Sequence, residues 1–269
     1  HRELREHCCR NHSMVVRSSL HRTKYSRGRP NAKKPDVQRE LPPELRTQQL
    51  LTFDQDTYDL RGRVCELLRT VPSVGASGAR LEDFAMAPDA WASKDLQCQL
   101  TEAVLADDAF LGEYDRFVRE VCAVHIKKRL VECGFCELEV PLKFYYQRPP
   151  TLRLPPGPSE RHVARHDDAK YGHQCGEVNF WLPLTSLAET RTTLWVESAP
   201  GADDFKPLEA DLGRCGVFHG TLCRHYVPPN ASSKTRVSLD FRIGVEGCFD
   251  PRWVLRGTLD DHHRREIVL

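Results

Sequence analysis

No apolar run in this chain approaches the ~18 residues needed to cross a bilayer. An excess of one charge is missing too: 39 Lys and Arg against 38 Asp and Glu leave a formal net charge of +1. That balance removes the global electrostatic case for a nucleic-acid or anionic-membrane partner. A structural zinc site also lacks its parts. The 11 cysteines are irregularly spaced, and the Cys-x-x-Cys at Cys133 and Cys136 has no second Cys or His pair at ligand spacing. An odd cysteine count in a chain of 269 residues, long enough to bury a real core, fits reduced and mostly buried thiols. These absences set the expectation of a soluble, intracellular protein without nucleic acid or membrane as partner, and they leave the oligomeric state open.

What is present begins with a basic stretch. Residues 1–40 are rich in Arg, Lys, His and Ser with no hydrophobic periodicity. They read as a disordered leader or the remnant of an organelle-targeting segment, and the start at His1 fits a processed or partial form. Residues 41–132 carry helical spacing. Pro43 can open a turn, Leu60, Val64, Leu67 and Leu68 mark a helix over 58–68, and 81–84 and 96–105 follow. Phe117, Val121, Val124 and Leu130 predict one long helix over 110–131, packed on something flat. After Gly134 the texture becomes that of strands, over 135–147, 151–154, 177–185, 192–198 and 235–244. Helices first and short strands after predict an α+β chain with a mainly β core, a barrel or sandwich with the helices on one outer face. The expected layout is one domain over 41–255, helical to 132 and β from 133 to 245, with a tail at 256–269.

The chemistry-bearing residues lie in the β part. His166 and Asp168 stand two apart, the spacing that puts two side chains on one face of an extended segment, and together they could be two-thirds of a two-His-one-carboxylate metal site. His219 and His225 are the candidates for the third ligand. His225 is preferred because Arg236 follows eleven residues later across the turn-forming "PPNASS", so that the two could occupy neighbouring antiparallel strands. In "TRVSLDFR", Arg236, Ser238, Asp240 and Arg242 alternate with apolar residues. A solvated outer face explains such alternation as well as a ligand-lining one does. On the second reading Arg236 pairs with a carboxylate and Ser238 adds a hydroxyl.

The run His166 to His173 (H-x-D-x-x-Y-G-H), "GEVNFWLPLT" from Gly176, "LWVES" from Leu194, the His225 and Asn230 pair and "TRVSLDFR" from Thr235 together resemble the Fe(II)- and 2-oxoglutarate-dependent dioxygenases. The resemblance is to the streptomycin-biosynthesis-type, phytanoyl-CoA-dioxygenase-like branch, and it covers roughly residues 140–245. It implies a double-stranded β-helix (jelly-roll, cupin-like) with the N-terminal helices packed on one face. It also implies Fe(2+) on His166, Asp168 and His225. 2-Oxoglutarate would lie on Arg236, Ser238 and Asn179, with O2 as co-substrate. The implied reaction hydroxylates an unactivated C–H of a small polar metabolite and releases succinate and CO2. Related halogenases put a small residue where Asp168 stands, which argues against halogenation. Tyr171, His173, Trp181, Trp195, Glu197, Gln147 and Arg153 are substrate-side or supporting candidates, with barrel filling the competing role for Asn179 and Trp181. Asp167 has the parity of a solvent-facing residue. Two other functions compete: a catalytically silent metal-binding barrel serving as sensor or scaffold, and a zinc-dependent cupin-type hydrolase or isomerase.

Overall fold

The structure is a computed structural model that describes residues 36–74, 80–86, 93–252 and 265–269. The leader expected over 1–40 thus lies outside the described residues up to position 35, as do 75–78 of the "PSVGASG" loop. Positions 36–40 are described: the Gln38 and Arg39 N–H groups both donate to the Gly247 carbonyl, tying this stretch to the far end of the chain.

Local chemistry sets the helix ends. Pro43 opens a 3-10 turn, Pro43–Leu45. Helix α1 (Leu60–Arg69) starts two residues later than the apolar spacing predicts, because Asp59 caps it and accepts the Gly62 N–H. Helix α2 (Lys94–Ala106) begins after Ser93, whose Oγ accepts the Leu96 N–H. The long helix expected over 110–131 divides into α3 (Asp108–Phe117), a π-helical turn (Val118–Ala123) and α4 (Val124–Glu132). The wider π-turn rotates the buried face, so Val118, Cys122 and Ile126 are buried while Val124, predicted to face the core, is 47% exposed.

No strand begins at 135, contrary to the sequence expectation. Gly134 takes a left-handed φ of 72°, its N–H donates to the Val131 carbonyl, and the Phe135 N–H donates to the Leu130 carbonyl. This Schellman closure is a helix stop, and it explains "ECGFC" without metal or disulfide. Cys133 and Cys136 are free thiols, and Cys122, Cys215, Cys223 and Cys248 are buried ones. Burial pushes the Cys223 thiol up to about 11 and Cys215 further, so both stay protonated.

Among the described residues eleven strands make two antiparallel sheets. They are β1 (Gln49–Thr52), β2 (Lys143–Tyr146), β3 (Thr151–Arg153), β4 (Val163–His166), β5 (Glu177–Pro183), β6 (Trp195–Val196), β7 (Lys206–Pro207), β8 (Arg214–Phe218), β9 (His225–Val227), β10 (Ser238–Val245) and β11 (Arg265–Val268). The larger sheet runs β1-β8-β5-β10-β2-β11, with β3 also on β10; the smaller runs β4-β9-β6-β7. Strands β1, β7 and β8 are additions to the predicted set. The expected C-terminal tail supplies β11, an edge strand pairing Arg265 with Tyr146 and Val268 with Lys143.

The larger sheet divides two environments. Val178, Phe180, Leu182, Leu239, Phe241 and Ile243 join the helix residues Phe110, Tyr114, Phe117 and Leu130 in one core. Phe180 and Phe241 stack at 5.2 Å, and Tyr114 meets Phe241 edge-on, contacts of about 0.5–1.5 kcal/mol beyond burial. On the opposite side Trp181 and Phe218 form a second cluster with Val163, Val196 and Val227 of the smaller sheet. Among the described residues no helix is long and apolar enough to cross a membrane.

Candidate metal centre

Strand β4 ends at His166, and Asp168 opens a 3-10 turn, Asp168–Tyr171, so the two are not on one continuous strand as their spacing suggests. Their side chains still turn the same way because Asp167 between them stays extended, at φ −112° and ψ 152°. Asp167 faces outward, caps the turn through the Lys170 N–H and pairs with the Lys170 ammonium. Across the sheet His225 is the register partner of His166, and the two ring centroids lie 4.3 Å apart.

These elements bring three donor groups together. The ligand atoms of His166, Asp168 and His225 all lie within 4.8 Å of one another. Asp168 Oδ1 is 3.8 Å from His166 Nε2 and 3.6 Å from His225 Nε2. Each imidazole donates its Nδ1–H to a backbone carbonyl, His166 to Ala164 at 2.7 Å and His225 to Cys223 at 3.1 Å. A carbonyl can only accept, so both Nε2 lone pairs are left facing the carboxylate, the tautomer a metal requires. Burial and the neighbouring His225 hold His166 down at about 4, so it is neutral at physiological pH.

The second oxygen of Asp168 is fully engaged. Oδ2 accepts from Asn179 Nδ2 at 2.7 Å and from Arg242 Nε and Nη2 at 3.0 and 2.9 Å. Burial alone would raise this carboxyl, but the Arg242 guanidinium and the surrounding imidazoles hold it well below the usual carboxylate range. Asn179, expected against 2-oxoglutarate or as barrel filling from the face it shares with Trp181, engages its amide here: its Oδ1 accepts the Gly220 N–H. Gly220 must be glycine, since a Cβ there would sit 2.7 Å from Asn179 Nδ2. Gln147 Oε1 accepts from Arg242 Nη1 at 3.3 Å, and the Gln147 carbonyl accepts the Tyr114 hydroxyl of α3. Arg242 is the site residue that sequence reasoning missed as a partner of Asp168. Its signal was the shared parity with Arg236 and Ser238.

Arg236 and His225 are not on neighbouring strands, contrary to expectation. His225 opens β9 of the smaller sheet, whereas Arg236 leads into β10 of the larger one, so they come from opposite walls. Asn230 shapes the connection, donating to the Pro155 and Lys234 carbonyls, while the Arg236 N–H donates to Pro155. The Arg236 guanidinium is 3% exposed and lies 5.6 Å from the Trp181 ring centre. Its Nε and Nη1, together with Ser238 Oγ, have no hydrogen-bond partner among the described residues. Burial pushes Arg236 down to about 10, still charged at neutral pH. Arg153 stands opposite Ser238 and donates through Nε to Asp240 at 3.0 Å.

The remaining candidates separate. The Tyr171 ring meets His166 edge-on at 5.5 Å, and His173 Nδ1 pairs with Glu177 at 3.1 Å rather than joining the triad. His219 is buried and donates from Nε2 to the Cys175 carbonyl. Trp195 and Glu197 are corrections. His225 pairs with Val196, so the alternate residues Trp195 and Tyr226 stand on the other face of the smaller sheet, stacked at 6.0 Å. Glu197 is buried but saturated: Arg224 forks onto it, and the N–H groups of Gly201, Asp203 and Arg224 donate to it. A cleft of about 220 Å³ lined by Phe53, Tyr58, Leu184 and Leu212 contains none of the triad or clamp residues, so donor chemistry rather than volume marks the site.

No family model matches the chain. It is 36% identical over 107 residues to the streptomycin biosynthesis protein StrG of Streptomyces griseus. The match takes in 40% of this chain and 50% of StrG, so the chain spans about half the length of the curated relative it matches. Among solved structures it is similar to the non-heme monooxygenase ThoJ in complex with nickel, at 17% identity, with a TM-score of 0.49 over 81% of this chain and 84% of the other. It is also similar to SnoN, a non-heme alpha ketoglutarate dependent epimerase from nogalamycin biosynthesis, at 13% identity, with a TM-score of 0.46 over 74% and 78%.

Proposed function

We propose that this chain is an oxygenase using Fe(II), 2-oxoglutarate and O2, which hydroxylates an unactivated C–H of a small polar metabolite with release of succinate and CO2. One observation carries the reading: an open two-His-one-carboxylate cluster lies on the same side of the larger sheet as a buried arginine whose Nε and Nη1 have no hydrogen-bond partner among the described residues. A bare buried guanidinium is costly, and an anionic ligand that brings its own carboxylate relieves that cost. When bound, Fe(II) with 2-oxoglutarate and O2 would supply the oxidising chemistry. The chain's own residues do the rest. His166, Asp168 and His225 would hold the metal through Nε2, Oδ1 and Nε2; Arg236 and Ser238 would take the distal carboxylate of 2-oxoglutarate; and Trp181 walls the clamp. The partial likeness to StrG agrees with the streptomycin-biosynthesis-type resemblance of residues 140–245. On this reading of the function the two sheets are the walls of a double-stranded β-helix, and residues 41–255 act as one domain.

A silent metal-binding barrel or a zinc hydrolase would leave Arg236 without a task. Anaerobic Fe(II) and 2-oxoglutarate added together should produce a visible charge-transfer band. Absence of the band, or its survival in His225→Ala and Asp168→Ala, sinks the proposal. Arg236→Ala should weaken 2-oxoglutarate binding and spare the metal.

A further inference from the structure

We infer that Arg242 and Asn179 are positioning residues that confine Asp168 to one-oxygen ligation of the metal through Oδ1, and so set how many coordination positions stay open. The inference rests on reading His166, Asp168 and His225 as metal ligands. A carboxylate can bind a cation through one oxygen or chelate it through both, and the difference is one coordination position. Oδ2 here accepts three hydrogen bonds, from Asn179 Nδ2, Arg242 Nε and Arg242 Nη2, which saturates its lone pairs. Oδ1 is the oxygen that faces both imidazole Nε2 atoms. Turning the carboxylate to chelate would break a charge-assisted fork inside a buried site.

The two donors are fixed from behind. Arg242 and Asn179 are direct register partners across β10 and β5, so both side chains leave the same face of the larger sheet. Asn179 is pinned by the Gly220 N–H, while the Asp168 N–H donates back to the Gly220 carbonyl. Arg242 is braced by Gln147, whose carbonyl is held by Tyr114 of the helical layer. A continuous set of contacts therefore runs from α3 through β2's end and β10 to the ligand carboxylate. Two imidazoles and one carboxylate oxygen would hold the metal through three protein donors, whereas a chelating Asp168 would use a fourth and leave one position fewer for ligands.

The test uses Co²⁺ titrated into the protein without iron, followed by its visible ligand-field absorption. Asn179→Leu and Arg242→Lys both preserve the net charge, so neither changes the overall repulsion felt by the cation. Each should weaken Co²⁺ binding by about 10–100-fold and alter the ligand-field band, whereas Trp195→Ala on the outer face should change neither. Folded variants that keep the wild-type affinity within about twofold and an unchanged band would overturn the inference. If circular dichroism shows that Arg242→Lys does not fold, Asn179→Leu decides. Wild-type protein whose Co²⁺ binding is absent, or indifferent to His225→Ala, instead overturns the metal-site reading itself.

Discussion

The two faces of β10 are built from alternate residues of one strand and could hardly differ more. Leu239, Phe241 and Ile243 enter an apolar core shared with the helices. Arg236, leading into the strand, and Ser238, Asp240 and Arg242 look the other way, between the sheets, where several polar groups are buried. On the helix side the β10 side chains Leu239, Phe241 and Ile243 are held by apolar packing. On the inter-sheet side Arg236 and Ser238 keep polar atoms without partners among the described residues. Folding usually removes such groups or satisfies them, so on the proposed function this is the side that a ligand would complete.

The comparison can be broken from either side. The largest effect belongs to the apolar face: Phe241→Ala should cost about 3–5 kcal/mol in denaturant unfolding, since the ring stacks on Phe180 and meets Tyr114. Next is Arg224→Ala, which removes the guanidinium from buried Glu197 and should destabilise less than Phe241→Ala in the same unfolding assay, because Arg224 is one-third exposed and screened by solvent. Burial pushes Glu197 up, yet Arg224 and the backbone N–H donors bring it down to about 2 from an ordinary 4.5. The folded state therefore holds this proton less tightly than the unfolded one. Its stabilisation is full above pH 4.5 and disappears as the pH falls towards 2, so the wild-type and Arg224→Ala stability curves should converge in acid.

Arg236→Met carries the opposite sign. Replacing a buried guanidinium whose Nε and Nη1 lack hydrogen-bond partners among the described residues with an apolar chain should raise ligand-free stability by ~1–2 kcal/mol while abolishing 2-oxoglutarate binding in calorimetry. A destabilised Arg236→Met protein would show that the arginine is satisfied without ligand. The smallest effect is that of Trp195→Ala, about 1 kcal/mol from the lost stack on Tyr226, with Co²⁺ affinity unchanged. A fall in metal affinity there would overturn the outward placement of that face.

Much of this was legible in order and parity. The helices-then-strands progression, the apolar alternation of β5 and β10, and the His-x-Asp pair are local properties, visible because side chains repeat every two residues in a strand and about every 3.6 in a helix. The misses have local causes as well. The π-turn shifted Val124 outward without any break in composition, and the Schellman closure at Gly134 ended a helix where alternating residues suggested a strand. Strand β6 has only two residues, so the parity of Trp195 and Glu197 could be judged only from the partner strand, through Val196 opposite His225.

What the sequence determined by itself was the inventory: an apolar set sufficient for a core, a pair of candidate ligands two residues apart, and a strand with one polar face. That information resides in neighbours along the chain, where covalent geometry is enough to read it. Only the tertiary structure decided which wall each piece belongs to. His225 and Arg236 are eleven residues apart yet come from opposite sheets, and Arg242, seventy-four residues from Asp168, holds the oxygen that the metal would not use. Register between distant strands sets those meetings, because a slip of one residue would turn Arg242 toward the helices and leave the carboxylate unheld.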